Sequence, residues 1–464
     1  MKGLAAINTS DTIAAISTPI GQGALGIVRI SGANALEVAD RLFVCKKGLP
    51  STFPSHTVHY GQVHAGAAII DNVLLIVMRR PRTYTGDDTV EISCHGGRIV
   101  LHKTLNAAIK AGARPANPGE FTMRAFLNGK LDLSQAEAVQ QLIGAQSELA
   151  FTVASQQLRG KLHNAVETIR SQVVDVAAVV EASIDFADED IELPPREELC
   201  AKLTSAKEDI EKLASTFEDG EKIVEGVNVV IAGKPNVGKS TLLNALLEKD
   251  AAIVTPVPGT TRDVLRESLI LQGITVNVFD TAGIRTPRGV VEKEGVRRSK
   301  KALREADLVL FVLDADVGVS EEDGDIFEKL RGKRHIIVVN KIDLAPEVDG
   351  ETLAGAFGNA PRVKTSALKL EGIEELRRQI SKNIWAMDIP SGDQAIITSV
   401  RQRDALERAG EALNDGVNAL REGLSPEFPA IEVREALDAL GLITGETTDE
   451  EILHRIFSKF CIGK

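Results

Sequence analysis

The nine residues Gly233-Lys234-Pro235-Asn236-Val237-Gly238-Lys239-Ser240-Thr241 complete the pattern G-x-x-x-x-G-K-S. Before them, Val227-Asn228-Val229-Val230-Ile231-Ala232 reads as a buried strand, and after them Leu242-Leu243-Asn244-Ala245-Leu246-Leu247 reads as an apolar helix. Strand, glycine loop and helix in that order are what a phosphate site requires. The glycines let the backbone curl so that amide N–H groups and the helix N-terminus face negative charge. Lys239 then reaches the terminal phosphates, Ser240 a Mg²⁺ ion, and Val237, Gly238 and Thr241 complete the cradle.

Further segments follow in the order of a G domain. Thr260-Thr261, in the loop from Pro256 to Asp263, can close on Mg²⁺ and the γ-phosphate, and Asp280-Thr281-Ala282-Gly283 ends the strand Val276-Asn277-Val278-Phe279. That places a carboxylate near the metal and a glycine N–H near the γ-phosphate. The strand His335-Ile336-Ile337-Val338-Val339 delivers Asn340-Lys341-Ile342-Asp343, and Arg362-Val363 delivers Thr365-Ser366-Ala367, with Leu368 next. Asp343 can accept from guanine N1–H and N2–H₂, which adenine lacks, so the nucleotide is expected to be GTP. The pattern resembles the translation-factor-related GTPases, with Ile284 in place of a water-positioning glutamine. An isoleucine cannot orient water. Glu292 and Glu294 are the nearest acidic candidates for that task, or else both are solvated carboxylates at a helix start.

The chain's 464 residues suggest roughly three domains of ~150 residues. Its net charge of −12 argues against coating nucleic acid by bulk electrostatics, while a local basic face remains compatible with RNA. No apolar run reaches the ~18 residues of a membrane helix, Met1-Lys2-Gly3-Leu4 opens no secretory signal, and Cys45, Cys94, Cys200 and Cys461 form no C-x-x-C pair. A reducing cytoplasm is the expected location.

The flanks of the central module read as helical. Leu162, Val166, Ile169, Val173, Val176, Val180 and Ile184 mark one seam, and Leu406, Ala409, Leu413, Val417, Leu420 and Leu424 another. The simplest architecture is multidomain α/β, with an N-terminal α+β domain, an all-α helical domain and an inserted, Ras-like, doubly wound P-loop G domain. The acidic stretch from Asp185 to Glu192, before Pro194-Pro195, reads as a solvated bend. In the first part, Gly21-Gln22-Gly23-Ala24-Leu25-Gly26 matches the dinucleotide fingerprint, but Ile27-Val28-Arg29-Ile30 reads as a strand where the fingerprint needs a helix. His56, His59 and His64 lack companions at metal-ligand spacing. Cys461, fourth from the end, fails the prenylation pattern because Gly463 and Lys464 fit neither of its last two slots. Thr448 with Glu451 offers a capping box for a helix whose apolar face is Ile452, Ile456, Phe457 and Phe460.

Taken whole, the chain resembles the MnmE (TrmE) family of tRNA-modification GTPases, in the TrmE-Era-EngA-YihA-Septin-like superfamily. The resemblance rests on the run Gly23 to Gly32, Tyr84-Thr85-Gly86-Asp87-Asp88, His95-Gly96-Gly97, Pro118-Gly119-Glu120-Phe121-Thr122, the run Phe126 to Leu133, Gly259-Thr260-Thr261-Arg262-Asp263, and Cys461-Ile462-Gly463-Lys464. Asp87 and Gly129 are small departures from the family pattern.

The resemblance implies a division into residues 1–128 for folate binding and dimerisation, 129–220 with 386–464 for the helical domain, and 221–385 for the G domain. It implies Lys239, Thr261 and Glu292 as the catalytic set, with Glu292 placing the attacking water and Ser240 and Thr261 on Mg²⁺. It further implies a K⁺ ion held by Asn236 and by carbonyls of Thr255, Val257 and Thr260, in the role of an arginine finger. Arg29, Glu91, Lys130 and Lys464 become the ligands of a 5,10-methylene- or 5-formyl-tetrahydrofolate, with Cys461 as a candidate reactive thiol. The implied function is a K⁺-activated GTPase, a homodimer working with FAD-containing MnmG (GidA). Together they would place a 5-aminomethyl or 5-carboxymethylaminomethyl group on the wobble uridine of tRNA. A ribosome-assembly GTPase and a folate enzyme with a regulatory G domain are the competing classes.

Overall fold

The computed structural model describes residues 10–186, 194–247, 266–280, 302–345, 350–358, 360–385 and 394–464. They divide into two compact units, Met1–Ile143 with Gln156–Ala214 and Arg401–Lys464, and Gly144–Ser155 with Ser215–Val400.

The first unit contains a sheet of β1 (Ile13–Ile16), β2 (Leu25–Ser31), β3 (Phe43–Val44), β4 (Thr57–Ala65), β5 (Ala68–Met78), β6 (Thr89–His95) and β7 (Arg114–Pro115). Their order is β3-β4-β5-β6-β2-β1-β7, antiparallel except for the parallel pair β1 and β7. The alternation of an extended chain puts Val28 and Ile30, Val73, Leu75 and Val77, and Val90, Ile92 and Cys94 into one core with the helices Ala35–Leu42 and Arg98–Lys110. Strand β2 begins at Leu25, inside the glycine run. The fingerprint therefore leads into a strand, and the dinucleotide reading fails on geometry. His59 stacks on Phe53 with centroids 3.6 Å apart, a packing role.

The same unit carries the helices Lys161–Asp185, Arg196–Ala214, Val400–Arg421, Glu427–Thr444 and Glu450–Phe457. Leu162, Val166, Ile169, Val173, Val176 and Val180 are buried in the first of these, with Ile184 half-buried. Helix Leu133–Gly144 is tied to Val400–Arg421 across the chain. Arg401 donates from Nε and Nη2 to the two oxygens of Glu137, at 2.9 and 2.8 Å, a bidentate pair between residues distant in sequence.

Two helical expectations need correction. Leu424 is 41% exposed and lies beyond the end of Val400–Arg421. Gly423 takes a φ of +68°, and the Leu424 N–H turns back to Ala419 O at 3.1 Å, so the seam closes before Leu424. At the last helix the cap is Asp449, whose Oδ1 accepts from the Ile452 N–H at 2.8 Å, and not Thr448. A carboxylate is a strong acceptor at the positive end of a helix, and on the helix it caps Leu453 packs inward with Phe457 and Phe460. Ile452 and Ile456 are only half-buried.

The second unit holds β8 (Val227–Ala232), β9 (Arg266–Leu271), β10 (Ile274–Asp280), β11 (Leu308–Asp314), β12 (His335–Asn340) and β13 (Arg362–Lys364). The order is β13-β12-β11-β8-β10-β9, parallel except for the antiparallel edge strand β9. This is the order of a Ras-like sheet. Val229 and Ile231 of β8 pack on one face with Leu242 and Leu246 of helix Lys239–Leu247, and with Leu376 and Ile380 of helix Ile373–Trp385. Val230 and Ala232 pack on the other face, with Leu353 and Phe357 of helix Gly350–Phe357. Covering both faces buries the parallel strands along their length. The architecture is an α+β portion, a helical portion and a doubly wound P-loop portion. Of the acidic stretch from Asp185 to Glu192, Asp185 ends the helix Lys161–Asp185, and residues 187–192 lie outside the described residues.

Candidate functional site

Strand β8 ends in the phosphate loop, with neighbouring strands β10 and β11 on opposite sides of it. In open α/β sheets this reversal of strand order leaves a crevice for ligands at the carboxyl ends. Gly233 has a φ of +147°, and a Cβ there would lie 2.4 Å from Val312 O of β11. Gly238 has a φ of +93°, and its Cβ would lie 2.4 Å from Asn340 Nδ2. Both positions need glycine for approach as well as for conformation. Asn236 also has a positive φ, +64°, and its side chain is exposed. Helix Lys239–Leu247 starts directly after, with Lys239 buried and Ser240 and Thr241 exposed. The Lys239 ammonium donates to Gly233 O at 2.8 Å and to Lys234 O at 2.5 Å, which holds its charge over the loop.

The base-recognition motifs are wired to that loop. Asn340, at the end of β12, donates from Nδ2 to Val237 O at 2.9 Å. Its Oδ1 accepts from the Ala367 N–H at 3.0 Å and from Thr365 Oγ1 at 3.2 Å. Lys341 has a φ of +66° and reaches Asp314 Oδ2 at 2.6 Å. Ser366 Oγ donates to Asp343 Oδ1 at 2.7 Å, and this bond is the main cause holding the Asp343 carboxyl below its ordinary pKa. Asp343 thus stays an anion able to accept two hydrogen bonds. Leu368 is 78% exposed beside these groups. Asn236, Val237, Gly238, Lys239, Ser240, Thr241, Asn340, Lys341, Asp343, Ser366, Ala367 and Leu368 therefore belong to the loops at one end of one sheet. Sequence reading missed the joint made by Asn340, whose signal is an amide side chain placed between two motifs.

Thr255, Val257, Thr260, Thr261, Thr281, Ala282, Gly283, Ile284, Glu292 and Glu294 lie outside the described residues, and Asp280 is placed only as the last residue of β10.

A second cluster lies in the first unit. Arg29 on β2 and Glu91 on β6 are register partners, and Arg29 Nε donates to Glu91 Oε1 at 2.8 Å with both side chains largely buried. The guanidinium sits 5.9 Å from the ring centre of Tyr84 and 5.5 Å from that of Phe121. The chain's last residues close over this pair: Arg29 Nη1 donates to Gly463 O at 3.4 Å, and the Phe121 N–H donates to Lys464 O at 3.3 Å. Gly463 has a φ of +98°, and a Cβ there would meet Ile16 O at 2.3 Å. Burial, followed by the Arg29 charge, holds the Lys464 ammonium below its ordinary pKa, against an opposing pull from Glu91. Glu120, which opens the helix carrying Phe121, binds Arg114 at 2.7 Å and the fully buried Arg124 at 2.9 Å. Cys461 is exposed, and its carbonyl accepts from the Gly119 N–H at 3.4 Å.

Arg29, Glu91 and Lys464 are brought together. Lys130 is exposed, and among the described residues no hydrogen bond or ion pair joins it to them. Tyr84 and Phe121 complete the cluster. Among the described residues no group of three His, Cys, Asp or Glu side chains is set to hold a metal, and no helix is long and apolar enough to cross a membrane.

Residues 12–130 match the GTP-binding protein TrmE N-terminus, and residues 133–461 match the MnmE helical domain. The tRNA modification GTPase MnmE of Protochlamydia amoebophila (strain UWE25) is 46% identical over 455 residues, covering 98% of both chains. That of Bacillus subtilis (strain 168) is 42% identical over 458 residues, covering 98% of this chain and 100% of the relative. With both family models matched and likeness along nearly its whole length, the chain belongs to the MnmE family of tRNA modification GTPases.

Proposed function

We propose that this GTPase works as a K⁺-activated homodimer in the cytoplasm, with an FAD-containing partner of the MnmG (GidA) kind. Its task would be to build the 5-aminomethyl or 5-carboxymethylaminomethyl group of the wobble uridine in tRNA from a tetrahydrofolate one-carbon unit and a nitrogen donor, ammonia for the first group and glycine for the second. The observation that carries the GTP part is the Asn340 amide, which ties the phosphate loop at Val237 to the base-reading loop at Ala367. One polar side chain thereby sets the distance between the phosphates and the base.

The residues fit the groups they would hold. The loop's amides and Lys239 suit the phosphates, the exposed hydroxyl of Ser240 suits Mg²⁺ with Thr261, and the exposed amide of Asn236 suits K⁺ with the carbonyls of Thr255, Val257 and Thr260. Bound there, Mg²⁺ and K⁺ supply positive charge against the phosphate oxygens. Lys239 neutralises charge on the transferred group, Thr261 closes over it, and Glu292 orients the water. In the first unit the carboxylate of Glu91 suits the amino-pyrimidine edge of a pterin, with Arg29 and Lys464 suited to its glutamate carboxylates. Lys130 would reach the same ligand from its exposed position, and Cys461 is the candidate thiol. We assign residues 1–128 to this folate and dimerisation role, 129–220 with 386–464 to the helical domain and 221–385 to the G domain.

The test combines the purified chain with its FAD-containing partner, unmodified tRNA, GTP, methylene-tetrahydrofolate and either ammonium or glycine as the nitrogen donor. Modified uridine should form only with all of them, and GTP turnover should be faster in K⁺ than in Na⁺. Glu292→Ala should lower kcat by roughly a hundredfold or more with GTP affinity little changed. Equal turnover in the two salts removes K⁺ from the reading, and unchanged turnover in the variant removes Glu292.

A further inference from the structure

Lys234, the second residue of the phosphate loop, places its ammonium inside the protein. Its Nζ lies 2.7 Å from Asp323 Oδ2 and donates to Ser320 Oγ at 2.8 Å. Asp323 is fully buried, and the Lys234 side chain is only 12% exposed. Asp323 and Ser320 form the capping box of helix Glu321–Glu328, where Asp323 Oδ2 accepts from the Ser320 N–H at 3.0 Å and from Ser320 Oγ at 2.8 Å. The other oxygen, Oδ1, has no hydrogen-bond partner among the described residues. A buried carboxylate in this state needs its cation, because an uncompensated buried charge is strongly unfavourable.

The same residue serves the loop through its backbone. Lys234 O is one of the two carbonyls that hold the Lys239 ammonium. Fixing the Lys234 side chain on the helix cap restricts rotation of its peptide, and so fixes the carbonyl that aims Lys239. An arrangement held before the ligand arrives lowers the ordering cost of binding.

We infer that Lys234 and Asp323 are a positioning pair for nucleotide binding, acting on Lys239 through the Lys234 carbonyl. The inference rests on reading this loop as the GTP site. Lys239 meets phosphates common to GDP and GTP, so the pair acts on both nucleotides alike. Affinity should depend on it, and so should kcat, because the Lys239 that it aims also neutralises charge on the transferred group.

The experiment uses the full chain, Mg²⁺ and fluorescent mant-GDP and mant-GTP, with kcat and thermal midpoint measured alongside. Lys234→Met and Asp323→Asn should each weaken both nucleotides by about tenfold and lower kcat with them. Asp323→Asn keeps an acceptor for the helix cap, so it is the variant whose folding is least disturbed. Lys234→Arg, whose fork can engage a carboxylate through two parallel bonds, should bind as wild type does. A role confined to stability predicts a different result, a lowered midpoint with unchanged affinity in every folded variant, and that result overturns the inference. So does Lys234→Arg binding as weakly as Lys234→Met. Wild-type protein that takes up neither nucleotide overturns the GTP reading itself and this inference with it, whereas normal wild-type binding with unaffected variants overturns the inference alone.

Discussion

In the sheet β8–β13, the polar groups around the phosphate loop come from short runs that follow the carboxyl ends of strands, each within a few residues of the next along its own loop. Around Arg29 the groups come from two paired strands, the start of one helix and the last residues of the chain, with 434 positions between Arg29 and Gly463. The first site is local and repeated strand by strand, because parallel strands all deliver their ends to one edge. The second is made by pairing and closure. A local loop can lose its ligand while the core beneath it stands. In the second site the same atoms carry the fold and the candidate chemistry, so damage to one is damage to both.

The sharpest way to break this contrast is Gly238→Ala. The added Cβ would lie 2.4 Å from Asn340 Nδ2 at a φ of +93°, forcing apart the loop and the base-reading residue. GTP affinity should fall by about a hundredfold or more, measured by mant-GTP titration, while the strands of β8–β13 keep their hydrogen-exchange protection. If protection throughout that sheet were lost as well, the loop would be part of the core and the contrast would fail.

The strand-end motifs were legible because each is a contiguous run whose chemistry depends on neighbouring residues. Asp343 and Ser366 were read separately, yet each sat where the motif order put it, and the structure joins them by one hydrogen bond. The Arg29 cluster carries no such run. Arg29 and Glu91 are opposite each other only through the register of β2 and β6, which depends on how the whole sheet pairs. Likeness to a family was what named those residues in advance. It also named Lys130, which no hydrogen bond or ion pair in the described residues joins to the others. Phe121 beside Arg29 and Asp323 beneath Lys234 were not singled out for those roles, since an aromatic platform and a buried ion pair are properties of packing.

A smaller effect should separate the two parts of the Arg29 cluster. Arg29→Met leaves Glu91 without its partner in a largely buried place, so the chain should lose about 1–3 kcal/mol in urea unfolding. Binding of a tetrahydrofolate should be lost in the same variant. Adding Glu91→Gln removes the stranded charge and should return part of the stability without returning the folate. Full recovery of both would mean that the pair matters only to the fold. Loss of folate binding without loss of stability would make this site as separable as the phosphate loop.

The smallest expected effect concerns how the end of the chain is held over that cluster. Helix Glu450–Phe457 places Phe457 and Phe460 into the core beside Leu133, and the tail beyond them reaches Arg29. Its cap is Asp449, so Asp449→Ala should cost about 1 kcal/mol. Thr448 is 6% exposed, and its Oγ1 has no partner among the described residues, so Thr448→Val should leave stability unchanged or raise it slightly. Urea midpoints at a constant m value decide between them. If Thr448→Val were the costly change, the helix would be capped where the S/T-x-x-E pattern put it, and the hold on the tail that brings Gly463 to Arg29 would rest on the Thr448 hydroxyl instead of the Asp449 carboxylate.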